Sequence, residues 1–165
     1  MVISKGDQMP EGSLKLMTDS GIKDMSIVSL FNCKIVALFS VPGAITSTYS
    51  NKHLTSNLEN YGAIKTKGFD NIAYIDVNDA LVLDTWIKDR ENRNKIIMLV
   101  VGNGEYTKKN DLELDVSRAG FGICCKSFSI VVNDKVCFQK LATSIQNIIQ
   151  KDFLIEETFE ILPVK

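Results

Sequence analysis

The sequence predicts an α/β fold with a mixed central sheet and helices on both faces. Short apolar runs alternate with helical stripes between Cys33 and Val101, the pattern of parallel strands joined by helices. Two further strand-like runs then flank Asn133-Asp134, which adds an antiparallel hairpin. The length, 165 residues, suits a single unit spanning 1–165. Hydrophobic residues make up 45% and charged residues 24%, a globular rather than a disordered mixture. A net charge of -1 lacks the clustered basic surface that a nucleic-acid partner requires. No apolar run reaches the ~20 residues of a membrane span, because CKIVALFSVPGAI breaks at Pro42-Gly43. The opening MVISKGDQMPEG is too polar for a signal peptide, so a cytoplasmic, reduced protein is expected.

The first clear element is Cys33–Ser40, a short apolar run ending at Pro42-Gly43 and read as a strand buried on both faces. The hydroxyl residues Thr46-Ser47-Thr48 suit a helix start. Leu54, Leu58, Tyr61 and Ile64 follow on one helical stripe that Gly68 ends. Asn71–Val77 reads as a second strand, and Asn78-Asp79 caps a helix carrying Leu81, Leu83, Trp86 and Ile87. Ile96–Val101 is a third core strand, closed by Gly102-Asn103-Gly104. A short helix at Glu105–Lys109 leads into a loop through Asp115. Phe128–Val132 and Val136–Phe138 form the hairpin, and Ile145, Ile148 and Ile149 mark a last helix. A C-terminal extension at about 152–165 shows no clear period, yet Phe153, Ile155, Phe159, Ile161 and Leu162 require something to pack on. Right-handed crossovers assemble this order into a thioredoxin-like three-layer sandwich. A flavodoxin-like sheet fits the same strings, and the late hairpin favours the former.

The cysteines offer no local metal or dithiol site, since there is no CxxC and His53 is the one histidine. Cys124 and Cys125 are adjacent, and consecutive Cα atoms lie about 3.8 Å apart, shorter than a relaxed disulfide wants. Two buried or half-buried thiols are expected there. Cys33 and Cys137 fall in core-like strands and read as packing residues.

The stretch VPGAITSTYSNKHL, from Val41 to Leu54, resembles the active-site segment of the peroxiredoxin family. Its type II, peroxiredoxin-5-like branch typically reads V-P-G-A-F-T-P-T-C-S-x-x-H-L. The register continues through Lys67–Ala73 (K-G-V-D-x-I-A), Val77-Asn78-Asp79 with Trp86 and Lys88-Asp89, and Gly102–Lys108 (D-G-x-G-E-F-T-K). Gly6-Asp7 and Pro10 fit the family's G-D-x-x-P. The similarity thus runs from residue 6 to about 150. It implies a redoxin domain of thioredoxin fold and thiol-dependent peroxide reduction, an antioxidant oxidoreductase. It also implies a homodimer or monomer, and thioredoxin or glutaredoxin as reductant where a thiol is active. No cofactor, metal, nucleic acid or membrane partner is implied.

Two departures from the pattern bear on chemistry. Tyr49 stands where the family places its peroxidatic cysteine, and Ser127 where it places an arginine, while Pro42 and Thr46 remain. A peroxidatic cysteine needs the first turn of a helix and a neighbouring cation to hold its thiolate. A phenol with pKa about 10 is only ~0.1% ionised at neutral pH and has no equivalent of the sulfenic-acid step. The expected protein is therefore a catalytically degenerate peroxiredoxin homologue, a pseudoenzyme. The alternative is a thiol peroxidase working through a relocated Cys125 or Cys124. On a regular strand Cys125, Ser127 and Ser129 share one face, which brings Cys125 towards Thr46 and Tyr49 and points Lys126 away.

The remaining features have simpler readings. Tyr49 fills the space of the lost pair and reaches Thr46 or Ser127; Thr46 caps a helix; His53 packs one turn beyond Tyr49. Gly102-Asn103-Gly104 lacks the Lys-Ser/Thr of a phosphate loop, and Glu156, Glu157 and Glu160 form a solvated face.

Overall fold

The chain opens with a hairpin that the sequence reading passed over. The computed structural model describes residues 6–44, 54–88, 94–134 and 136–140. Strands β1 (Ser13–Thr18) and β2 (Gly21–Ser26) pair antiparallel from Ser13↔Ser26 to Thr18↔Gly21. Gly21 sits at φ 100°, a left-handed value that glycine takes without a Cβ clash. A short helix α1 (Ile27–Phe31) follows, with the Ser26 hydroxyl accepting the Ser29 N–H at 3.0 Å.

The expected core strands are present as β3 (Ile35–Ser40), β4 (Asn71–Asp76) and β5 (Ile96–Val100), parallel and adjacent. The stripe from Leu54 to Ile64 is divided into α2 (Thr55–Glu59) and α3 (Tyr61–Thr66), with the break at Asn60. Gly68, at φ 92°, donates its N–H to the Lys65 carbonyl at 3.0 Å and ends the helix as expected. Helix α4 (Ala80–Lys88) starts where Asp79 Oδ1 accepts the N–H groups of Leu81 and Val82, at 2.8 and 2.9 Å. Its inner face is Ala80, Leu83, Trp86 and Ile87, whereas Leu81, expected in the stripe, is 64% exposed.

Helix α5 (Glu105–Lys109) has the expected bounds. The presumed loop through Asp115 contains instead a strand, β6 (Glu113–Asp115), paired antiparallel with β7 (Ile123–Cys125) as a separate two-stranded sheet. The late hairpin is β8 (Phe128–Asn133) and β9 (Val136–Lys140), with Asp134 in its turn at φ 43°. The large sheet runs β2-β1-β5-β4-β3-β8-β9, so antiparallel strands flank the parallel centre on both sides. The last predicted helix and the extension at about 152–165 lie outside the described residues.

Two apolar layers follow from the period-two alternation of β3. Val36 and Leu38 join Leu14, Leu30, Phe31, Ile75 and Leu99 on one side. Ala37 and Phe39 join Leu54, Ile64, Tyr74, Leu83 and Trp86 on the other. A strand covered by helices on both faces must be apolar at every position, which is why this run shows no alternation in the sequence. Among the described residues no helix is long and apolar enough to cross a membrane.

Candidate active site

Two of the predicted pocket residues, Pro42 and Ser127, lie where β3 ends and β8 begins. Ser40 closes β3, Asp76 closes β4, and Phe128 opens β8 directly opposite Ser40. The Val41 N–H still bonds the Ile75 carbonyl at 3.3 Å, so the chain leaves the sheet only at half-buried Pro42. Ala44 is buried, and its N–H donates to Asn78 Oδ1 at 3.1 Å. The Asn78 N–H in turn donates to Asp76 Oδ1 at 2.7 Å. The motif residues Pro42 to Ala44 and Val77 to Asp79, far apart in sequence, thus meet at one edge. Thr46, Tyr49 and His53 lie outside the described residues.

Ser127 is buried at this edge, and its hydroxyl donates to the Ser40 carbonyl at 3.2 Å. The anticipated regular strand from Cys125 to Ser129 does not exist. The chain crosses between two sheets there: β7 ends at Cys125 and β8 begins at Phe128. Lys126 marks the crossing, its N–H on the Leu112 carbonyl and its Nζ on the Asp111 carbonyl, both at 2.8 Å. Its side chain is exposed.

Cys124 and Cys125 are free thiols, 4% and 0% exposed, and the expectation of buried thiols holds. Burial pushes the Cys125 thiol up to about 12; the Asp76 charge adds to this, and the Ser40 hydroxyl offsets part of it. Cys124 is raised as well, by burial first and Asp76 second. Cys33, expected in the core, is exposed. It precedes β3 in a turn at φ 54°, where its N–H donates to Asp134 Oδ1 at 2.8 Å.

Asp76 is the residue that sequence reasoning missed. It is fully buried, and burial raises its carboxyl to about 7 against the lowering effect of the Asn78 and Val77 N–H groups. The available signal was a carboxylate inside a run that is otherwise buried on both faces. Among the described residues no three His, Cys, Asp or Glu side chains converge to hold a metal ion. This edge therefore offers hydroxyls, a carboxyl and two protonated thiols, and neither described thiol is a ready nucleophile.

Comparison with known proteins places this arrangement in a family. The redoxin family model matches residues 4–151. Rice peroxiredoxin-2C is 35% identical over 133 residues, covering 80% of this chain and 82% of that protein. The chain belongs to the peroxiredoxin family. Chloroplastic peroxiredoxin-2E of Arabidopsis thaliana is 38% identical over 138 residues, 81% of this chain, which spans 59% of that longer relative. Among solved structures, reduced Prx3 of Vibrio vulnificus in complex with hydrogen peroxide has a TM-score of 0.83 at 29% identity. That match covers 96% of this chain and 99% of the other. Peroxiredoxin 5 of Alvinella pompejana gives a TM-score of 0.80 at 26% identity, with coverages of 96% and 98%. The thioredoxin-like fold expected from the element order is the fold of this peroxiredoxin.

Proposed function

We propose that this peroxiredoxin has lost peroxide reduction and keeps the fold for binding or partner interaction. The observation that carries the reading is the state of the thiols that would have to replace the missing cysteine. Cys125 is fully buried with a strongly raised pKa; Cys124 is also buried, and its pKa is raised. The sequence places Tyr49 at the reactive position and Ser127 at that of the family's cation. Ser127 supplies a hydroxyl already engaged with the Ser40 carbonyl, not a charge.

Reduction of a peroxide requires a thiolate to attack one oxygen, forming a sulfenic acid while the other oxygen leaves as hydroxide or alkoxide. The anion then has to be held by a helix N-terminus, a cation or both. Asp76 acts in the opposite sense, because its ionised form disfavours a second negative charge on either thiol. The relocated-thiol reading through Cys125 or Cys124 thus has geometry and electrostatics against it. With no sulfenic acid formed on them, these thiols leave thioredoxin and glutaredoxin nothing to reduce.

The test is peroxide consumption in the presence of dithiothreitol or thioredoxin. The expected rate matches that of dithiothreitol alone. Turnover at an enzymatic rate that Cys125→Ser or Cys124→Ser abolishes would establish the relocated centre and overturn this reading.

A further inference from the structure

Asp76 joins a buried titratable group to the loop that carries the peroxiredoxin motif. Its carbonyl accepts the Val101 N–H at 3.0 Å, which fixes its backbone to the strand beside it. Its side chain is fully buried: Oδ1 accepts the Asn78 N–H at 2.7 Å, while Oδ2 has no hydrogen-bond partner among the described residues. Asn78 then holds the Ala44 N–H through its own side-chain oxygen at 3.1 Å. One residue therefore links the carboxyl to the 41–44 loop.

Among the described residues the surroundings supply no counter-charge. On β7 the titratable groups are Cys124 and Cys125, which become negative if they ionise. Its β5 partner Val100 and the adjoining Val101 are apolar, and Ser40 at the end of β3 carries only a hydroxyl. Asp79, at the start of α4, has its Oδ1 on the Leu81 and Val82 N–H groups. Among the described residues no lysine, arginine or histidine forms an ion pair with Asp76. A buried carboxylate without a partner is strongly disfavoured against its neutral form, or against a form that water can reach.

We propose that Asp76 is a proton-operated latch on this edge of the sheet: as the neutral acid it stays sealed and keeps the Asn78–Ala44 tether closed, and its ionisation opens the edge to water. The same linkage sets the size of the effect. In the closed form the carboxyl loses its proton near pH 7, against an ordinary value of 3.8 once water reaches it. Each pH unit between those values favours opening by about tenfold, and the whole interval by about a thousandfold.

Amide hydrogen exchange at Ala44 and Asn78 reads the latch directly, with rates corrected for the intrinsic base catalysis of exchange. In the wild-type protein, protection of these amides is expected to fall about a hundredfold between pH 5 and 7 and to level off above. In Asp76→Asn, which keeps the shape and the acceptor, protection is expected to be independent of pH. A flat wild-type profile overturns the proposal without any variant, and so does an unchanged slope in Asp76→Asn. Should that variant fold poorly, titration of the wild-type Asp76 carboxyl carbon by NMR serves instead: a midpoint near 4 overturns the latch, and one near 7 supports it.

Discussion

Native-state disulfide exchange separates the thiols of this peroxiredoxin and puts a number on their reactivity. The perturbation is dithiobis(nitrobenzoate) in excess at pH 8, with each labelled cysteine located by mass spectrometry over time. Cys125 has its thiol raised from 9.0 to about 12, so at any pH below 9 its thiolate fraction is about a thousandfold smaller than that of an unshifted thiol. A more basic thiolate is a better nucleophile, with a Brønsted slope of about 0.4–0.5, which returns roughly a factor of 15 to 30. The net electrostatic slowing is then roughly thirty- to sixtyfold. Burial multiplies it, because a side chain with 0% exposure reacts only after local opening, and each 1.4 kcal/mol of opening free energy is another factor of about ten. Cys33 is exposed and provides the internal reference. The expected order is Cys33 first, Cys124 well behind and Cys125 last, with Cys125 more than a hundredfold slower than Cys33. Labelling of Cys125 or Cys124 as fast as Cys33 in the folded protein would refute the argument from burial. It would also reopen the relocated-centre reading.

Two further predictions concern stability. The Asp76 carboxyl keeps its proton to about pH 7 when folded but only to 3.8 when unfolded. Its contribution is therefore fully present below pH 4 and is lost as pH rises through 7, by about 4 kcal/mol in all. Urea unfolding of wild type and Asp76→Asn across pH 4–8 should show this slope in the difference between the two; a constant difference would remove it. The lowered carboxyls of Asp24 and Asp115, held by Lys15 and Ser117 respectively, favour folding in the opposite pH sense and cancel in that comparison. Tyr74→Phe removes the acceptor of the 2.6 Å bond from buried Asn57 Nδ2. It should cost about 1–3 kcal/mol, read as a lower urea midpoint at an unchanged m-value. An unshifted midpoint would show that this bond adds nothing net.

Much of the sheet was legible because its three parallel strands are apolar at nearly every position. The helix starts were legible where a side chain does the capping, as Asp79 does for α4. The β1–β2 hairpin was harder to see. Its strands are largely half-buried or exposed, with Leu14 the one fully buried side chain, so the apolar alternation is diluted by Lys15, Lys23 and Asp24. The turn Asp19-Ser20-Gly21 between two short alternating runs was the usable signal. The strand β6 hid for a related reason: three residues are too few for any period to register.

By itself the sequence determined the parallel core, the late hairpin and the family. Those are properties of runs, breakers and fixed spacings along one chain. Only the tertiary structure decided that Cys33 is exposed, that Cys125 and Ser127 do not share one strand, and that Asp76 is sealed beside two thiols with no ion-pair partner among the described residues. Burial and electrostatic environment depend on which distant segments close over a side chain. Periodicity shows that a face is covered, but the covering atoms, and so the cost of a charge there, come from residues tens of positions away.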